Sequence, residues 1–504
     1  MAATIPRLEA PELYLGFVAP IGVDLDETID QFDKYFRSSG YNVIQIKVTD
    51  IFERIKPFLK PAKRLKSTPL YERYKTHIAY GNQIRSAFED DAALAAITIY
   101  RILAARNIEL ATEELYQKTV YLVHQFKRKE EIDLFRSIYG RLFFQVSVYS
   151  RRSVRVDNLA RRFADSDYNA NIHSYRSKAE ELVQQDEEEH DAEHGQRVSR
   201  IFHDGDFIIN ADINSPSVEN QIYRFCDLIF GSNSISPSRI EYGMYIAKAA
   251  ALRTLDLSRQ VGAAIFTENG EIITLGSNEV PRALGGTYWP EDEFDRREYR
   301  LRCDSNEKRK IEILTELLEI GGVQNAAKEA SSRRFEQSQF MDALEYGRII
   351  HAEMSAITDA ARLGRPIVGA TLYCTTFPCH MCAKHIVSSG IASVVFLEPY
   401  PKSLALELHS DSIDIEGTDR GQYDKFPSVR FTHFYGVSPR RYKEIFERSK
   451  RKNKSGVFQE WSDGAKRPII DIKMPIYAEL EKRIIKLFVE KYFKLIDADP
   501  AKFI

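Results

Sequence analysis

Short apolar runs separated by amphipathic stretches open the chain: LYLGFVAP from Leu13, VIQIKV from Val43, TVYLVH from Thr119 and LFFQVSVY from Leu142. Each gap is long enough for a crossover helix, so the pattern predicts a mostly parallel α/β sheet. Highly charged sequence follows, DEEEHDAEH at 186–194, and the apolar run DFIINA from Asp206 closes this half. The turn-rich FGSNSISPS stretch sets a domain boundary near residues 225–240. A second unit begins with EYGMYIAKAAALRTL, where Tyr242, Tyr245, Ile246, Ala249, Ala250 and Leu252 make an approximately helical apolar face. VGAAIF and EIITLGSN then alternate as a hairpin joined near Glu268-Asn269-Gly270.

A charged insertion, residues 286–342, interrupts this unit with helical character in KRKIEILTELLEI and no evident function. The core resumes with GRIIHAEMSAITDAARLG, a helix stopped by Gly364 and Pro366, then a strand ATLYCTT, a helix starting at Pro378-Cys379 and a strand SVVFLEPY. That order describes a three-layer α/β/α unit. The expected domains are 1–230, 235–445, and a basic linker with an amphipathic helix over 446–504.

At 504 residues the chain is long enough for two cores. Its 71 basic and 73 acidic residues nearly cancel, unlike the strongly basic footprint of a protein that lives on a nucleic-acid backbone, so a free nucleotide is the easier substrate to defend. No apolar run spans a membrane and MAATIPRLEAPE lacks the order of a secretory signal, which makes the cytoplasm the expected location. Five cysteines are too few and too clustered for a disulfide framework; the Cys379 and Cys382 C-x-x-C pair reads as metal-binding or redox chemistry, and Cys374, in a predicted strand, as a small buried hydrophobe.

The surrounding residues decide between those two. His351-Ala352-Glu353 precedes Pro378-Cys379-His380-Met381-Cys382, the H-x-E with P-C-x-x-C pattern of zinc deaminases. One histidine and two thiolates leave a tetrahedral zinc one open position, where water becomes acidic enough to supply hydroxide at neutral pH. Glu353 is the expected proton carrier between that water, the ring nitrogen and the departing amine. A redox C-x-x-C has no use for the upstream His351 and Glu353, and a purely structural zinc wants a fourth ligand, for which His380 is poorly placed. One zinc per chain is expected.

Beyond the metal motif the sequence resembles the deoxycytidylate deaminase branch of the cytidine deaminase superfamily, through Ser258-Arg259-Gln260-Val261-Gly262-Ala263-Ala264-Ile265 and Gly276-Ser277-Asn278-Glu279-Val280-Pro281. The resemblance implies that Asn278 bonds the sugar 3′-hydroxyl, that the Val261-Gly262-Ala263 stretch packs beside the base, and that Ala352 is a further substrate contact. With NEVP, PCHMCAKHI, PYPKS, LHSDSI and GVSPRRY added to an N-terminal P-loop-like half, the chain is similar to bacterial anti-phage dCTP deaminases. That likeness implies conversion of free dCTP, and dCMP, to the uracil nucleotide, a homo-oligomer, and in some relatives restraint by a small regulatory RNA. Tyr400 and Phe377 are candidate walls for the base, and Lys402, Arg440 and Arg441 candidate phosphate contacts, each with an equally plain reading as core or surface.

The N-terminal half departs from a working phosphate loop. After LYLGFVAP come Ile21-Gly22-Val23-Asp24, with Val23 where the lysine belongs, Asp24 at the hydroxyl position and Phe17 where the first glycine falls. Nucleotide hydrolysis there is not expected; sensing, RNA binding or assembly is. Competing readings are a housekeeping dCMP deaminase, which has no need of the N-terminal half, a polynucleotide-editing deaminase, which needs a basic channel, and a non-catalytic nucleotide binder, which has no use for Glu353.

Overall fold

A computed structural model describes residues 8–106, 115–187, 195–213, 216–336, 338–400, 403–448 and 451–495. The chain divides into two compact units, one of Met1–Pro237 with Tyr435–Ile504, the other of Ser238–Phe434. The first division falls inside the expected turn-rich stretch. The second falls earlier than residue 445, because the C-terminal segment returns to the first unit.

Strands along the chain are β1 (Leu13–Val18), β2 (Asn42–Lys47), β3 (Thr119–His124), β4 (Phe143–Tyr149), β5 (Phe207–Asn210), β6 (Gly262–Phe266), β7 (Ile272–Ser277), β8 (Thr371–Thr376), β9 (Ser393–Glu398), β10 (Ile413–Ile415), β11 (Val429–His433) and β12 (Gly436–Val437). The first sheet has the order β12-β5-β4-β1-β3-β2. Its five consecutive strands β5, β4, β1, β3 and β2 pair in parallel, and only β12 is antiparallel. All five are the apolar runs read from the sequence. β1 is buried at every position, as a strand covered by helices on both faces must be. The C-terminal helix Tyr477–Leu495 belongs to this core: Glu481 and Glu12 hold the buried Arg106 guanidinium between them. A buried cation with two carboxylates is tolerated because its donors are satisfied by charge-assisted hydrogen bonds.

The second sheet has the order β10-β11-β9-β8-β6-β7. β6 and β7 form the expected hairpin, with Gly270 at φ 97° in the turn. The helix Arg239–Ala251 buries Gly243, Met244, Ala247 and Ala251, whereas Tyr242 and Leu252 of the expected apolar face are exposed. Close approach outweighs side-chain size here. A Cβ on Gly243 would strike the Tyr373 ring, and one on Gly262 would strike the Ala247 carbonyl. The small-residue face is therefore the one that meets the sheet. Likewise Gly276 lets β7 meet the helix Ala352–Arg362 at the Ala352 carbonyl. No helix among the described residues is long and apolar enough to cross a membrane.

Candidate active site

Two helix starts build the site. His351, in extended conformation, is the cap of the helix Ala352–Arg362, which places Glu353 in its first turn. β8 runs into Phe377-Pro378, and Cys379 caps the helix His380–Ser388, its sulfur accepting the Cys382 backbone N–H at 3.5 Å. The His351 Nδ1 lies 3.3 Å from Cys379 Sγ and 3.4 Å from Cys382 Sγ. Zinc held at about 2.3 Å by sulfur and about 2.05 Å by nitrogen sets tetrahedral donors about 3.6 Å apart, close to that spacing. His351, Cys379 and Cys382 are thus able to hold one zinc ion, and they are the one such cluster found among the described residues. His380 instead points its Nε2 toward Glu345, 3.8 Å away.

Electrostatics favour the thiolate at Cys379. Its thiol is pushed down to about 4, first by the hydrogen bond from Cys382 and then by His351 beside it. That hydrogen bond with Cys379, and burial, push the Cys382 thiol up, and the hydrogen bond between Cys379 and His351 raises His351. Glu353 is 4% exposed, with Oε2 3.4 Å from Cys382 Sγ, and burial raises its carboxyl. A carboxyl that holds its proton more firmly than usual suits a group that must both take and return one. Cys374, expected as a small buried hydrophobe, is buried in the core and its thiol also lies within hydrogen-bonding reach of Glu353.

His351, Glu353 and Cys379 line a cavity of about 170 Å³. Val261, Ala352, Phe377 and Tyr400 line it as the sequence suggests, while Gly262 is buried behind it, its N–H donated to Thr375 Oγ1 at 3.0 Å. Asn278 lines it too, but its amide is heavily committed. Oδ1 accepts from the Val261 N–H at 2.7 Å; Nδ2 donates to the Arg259 carbonyl at 2.7 Å and to Asp256. An amide has two N–H donors and two acceptor lone pairs, so one lone pair remains for a ligand. Asp256, held by Asn278 and by the Ser258 N–H at 2.8 Å, brings a carboxylate to the same wall.

The charged insertion supplies much of the remaining wall: Glu298, Asp304 and Asn306 come from it, and Arg348 from just beyond. Arg259 and Arg348 are the cavity's two guanidinium groups, Arg259 lying 5.1 Å from the Tyr400 ring centre. Neither the insertion nor Asp256 carried a local signal in the sequence. Of the other candidate phosphate contacts, Lys402 lies outside the described residues. Arg440 and Arg441 belong to the first unit, where Arg441 is buried and bonded to Asp206, Glu444 and the Phe143 carbonyl. Also in that unit, Gly22 has φ 92° and no room for a Cβ against the Arg155 carbonyl, Val23 is buried, and the Asp24 carboxylate caps the helix Leu25–Ser38.

Residues 237–398 match the family model of the cytidine and deoxycytidylate deaminase zinc-binding region. Apart from Pro237, the matched span lies within the second unit. The chain is similar to the deoxycytidylate deaminase of Enterobacteria phage T2, 54% identical over 54 residues, 11% of this chain and 29% of the phage protein. It is 27% identical over 159 residues to a probable deoxycytidylate deaminase of Drosophila melanogaster, 31% of this chain and 58% of the fly protein. The chain therefore spans less than a third of the phage relative and little more than half of the fly one. Among solved structures, dCMP deaminase from the cyanophage S-TIM5 aligns at 16% identity and a TM-score of 0.22, over 40% of this chain and 99% of that one.

Proposed function

We propose that the second unit hydrolytically deaminates free deoxycytidine nucleotides, dCTP and also dCMP, to deoxyuridine nucleotides and ammonia. The observation that carries this reading is the buried Glu353 carboxyl set beside the His351, Cys379 and Cys382 cluster, with Glu353, His351 and Cys379 lining one cavity. His351, Cys379 and Cys382 would hold a zinc ion, which would supply a hydroxide nucleophile at neutral pH. Glu353 would take the proton shed in forming that nucleophile and pass it to ring N3 as C4 is attacked; it would then take the proton of the new C4 hydroxyl and deliver it to the amino group as the C4–N bond breaks. Val261, Ala352 and Phe377 exclude water around the base. Asp256 accepts the sugar 3′-hydroxyl, with the last lone pair of Asn278 beside it, and Arg259 and Arg348 meet the phosphates.

The first unit acts in this reading as a regulator that does not hydrolyse nucleotide, since Val23 and Asp24 replace the lysine and hydroxyl of a working phosphate loop. Depletion of dCTP in defence against phage is the role that the resemblance to anti-phage dCTP deaminases suggests, with a small RNA as one candidate for control. Zinc-loaded protein incubated separately with CMP, CTP, dCMP and dCTP, with products resolved by chromatography, tests the reading. Uracil nucleotides are expected from dCTP and dCMP. Equal kcat/KM for CTP and dCTP would remove the deoxyribose claim, and no product from any of the four would remove the activity.

A further inference from the structure

The first unit contains a cavity of its own, about 200 Å³, that no step of the proposed chemistry uses. It sits beyond the carboxyl ends of β1, β2 and β3, lined by the loops that follow them and by the helix Leu70–Phe88. Open parallel sheets place ligands at that edge, where the strand order reverses; here β1 lies between β3 and β4.

The loop after β1 is not where an anion can enter. The Ile21 N–H donates to Asp186 Oδ2 at 2.7 Å, and Lys127 Nζ lies 2.6 Å from the other oxygen of that carboxylate. The chain's own carboxylate therefore holds the position that a phosphate takes in a working loop. Across the cavity the charge balance is reversed. Lys47 at the end of β2, Arg73 on the helix Leu70–Phe88 and Arg162 on the helix Arg152–Ser166 all line the space. Among the described residues none of the three side chains has an ion-pair or hydrogen-bond partner, apart from the long-range fields they exert. Arg73 and Lys47 converge on His77: burial lowers its pKa most, and the fields of both cations lower it further.

Aromatic rings form part of the remaining wall, beside aliphatic side chains such as Val48, Ile78 and Leu94. Phe52 and His77 stand with ring centres 5.8 Å apart, and Tyr74 and His124 join them. Unpaired guanidinium and ammonium groups that share a concave site with aromatic rings suit a ligand that carries both a phosphate and a planar base. Inorganic phosphate would leave the rings unused, and a nucleic-acid strand would need an open basic groove rather than a cavity.

We propose that this cavity binds a nucleoside phosphate, its phosphates on Lys47, Arg73 and Arg162 and its base among Phe52, Tyr74 and His77. The ligand is bound and not cleaved, because the loop that would activate its phosphates is filled by Asp186. The proposal stands or falls independently of the deaminase reading.

Calorimetric titration of the full zinc-loaded chain with ATP, GTP and UTP tests it, with adenosine and inorganic tripolyphosphate as the two halves of the ligand. Saturable binding of at least one nucleotide is expected, weakened by about tenfold or more in Arg73→Ala and in the exposed Arg162→Ala. Zinc content and melting temperature of both variants should match the parent, which separates a lost contact from a lost fold. Absence of saturation by all three nucleotides up to about 1 mM, unchanged affinity in both variants, or tripolyphosphate binding as tightly as the nucleotide would each overturn the proposal.

Discussion

After β8 the chain turns through Phe377-Pro378 into a helix capped by Cys379; after β1 it turns through Pro20-Ile21-Gly22 into a helix capped by Asp24. Both caps satisfy a backbone N–H of the first turn, Cys379 at 3.5 Å and Asp24 at 3.3 Å. The difference lies in what the cap still has to offer. The Cys379 sulfur, drawn toward thiolate by Cys382 and His351, keeps its charge aimed at a neighbour that shares a metal. Asp24 has only a capping role, and the loop before it is closed by Asp186 and Lys127. Similar backbone positions thus serve chemistry in one sheet and architecture in the other, and the side chains at the helix start decide which.

The largest effect expected on that comparison comes from Glu353, the proton carrier of the proposed reaction. Glu353→Ala should retain zinc and fold yet lose deamination by about 10²–10⁴-fold or more, since proton transfer typically contributes that much. Cys379→Ser or Cys382→Ser should lose activity together with the metal. Elemental analysis beside turnover distinguishes the two outcomes. Full zinc in both cysteine variants would place the ligands elsewhere, and retained turnover in Glu353→Ala would sink the proton-shuttle role.

How far such residues are legible in advance follows from their geometry along the chain. His351, Glu353, Cys379 and Cys382 announce themselves because each pair sits within one helical turn, and the five parallel strands because buried strands are continuous apolar runs. Asp256 could not be found that way. It lies on an irregular segment before β6, and its importance comes from Asn278, 22 residues later, one of whose two amide donors it accepts. The insertion's contribution to the cavity is likewise invisible, since a wall assembled from Glu298, Asp304 and Asn306 has no period. Arg441 was open to a phosphate-contact reading from its dibasic context, yet Asp206, 235 residues away in sequence, claims it. The face of the helix Arg239–Ala251 was misjudged on side-chain size, where glycine and alanine packing decided.

A smaller effect should sharpen the role of Asp256. Asp256→Asn keeps an amide-sized side chain but replaces the charged acceptor, and a hydrogen bond to a charged group contributes about 1.5–3 kcal/mol, roughly 10–100-fold in kcat/KM. A substrate lacking the 3′-hydroxyl separates contact from fold. With 2′,3′-dideoxycytidine triphosphate the variant and the parent should turn over alike, because the partner of the carboxylate is already missing. An equal loss on dCTP and on the dideoxy compound would show that Asp256 only holds Asn278 in place.

The smallest expected effect tests the closed loop of the first unit. Asp186 is 1% exposed, and its removal leaves Lys127, whose side chain is 14% exposed, and the Ile21 N–H without their shared acceptor. Breaking a buried pair from one side typically costs about 3–5 kcal/mol, and Lys127's residual access to water places this case at about 3 kcal/mol or below. Asp186→Ala should therefore lower the melting temperature of the first unit by several degrees, and Asp186→Asn by less, because the amide oxygen still accepts from Ile21. Zinc content should stay at the parent level in both, since the metal ligands belong to the other unit. Melting of the two variants followed by circular dichroism, alongside zinc analysis, checks the ranking. If Asp186→Ala melts with the parent, the carboxylate is not what closes the loop, and the contrast between the two helix starts needs another cause.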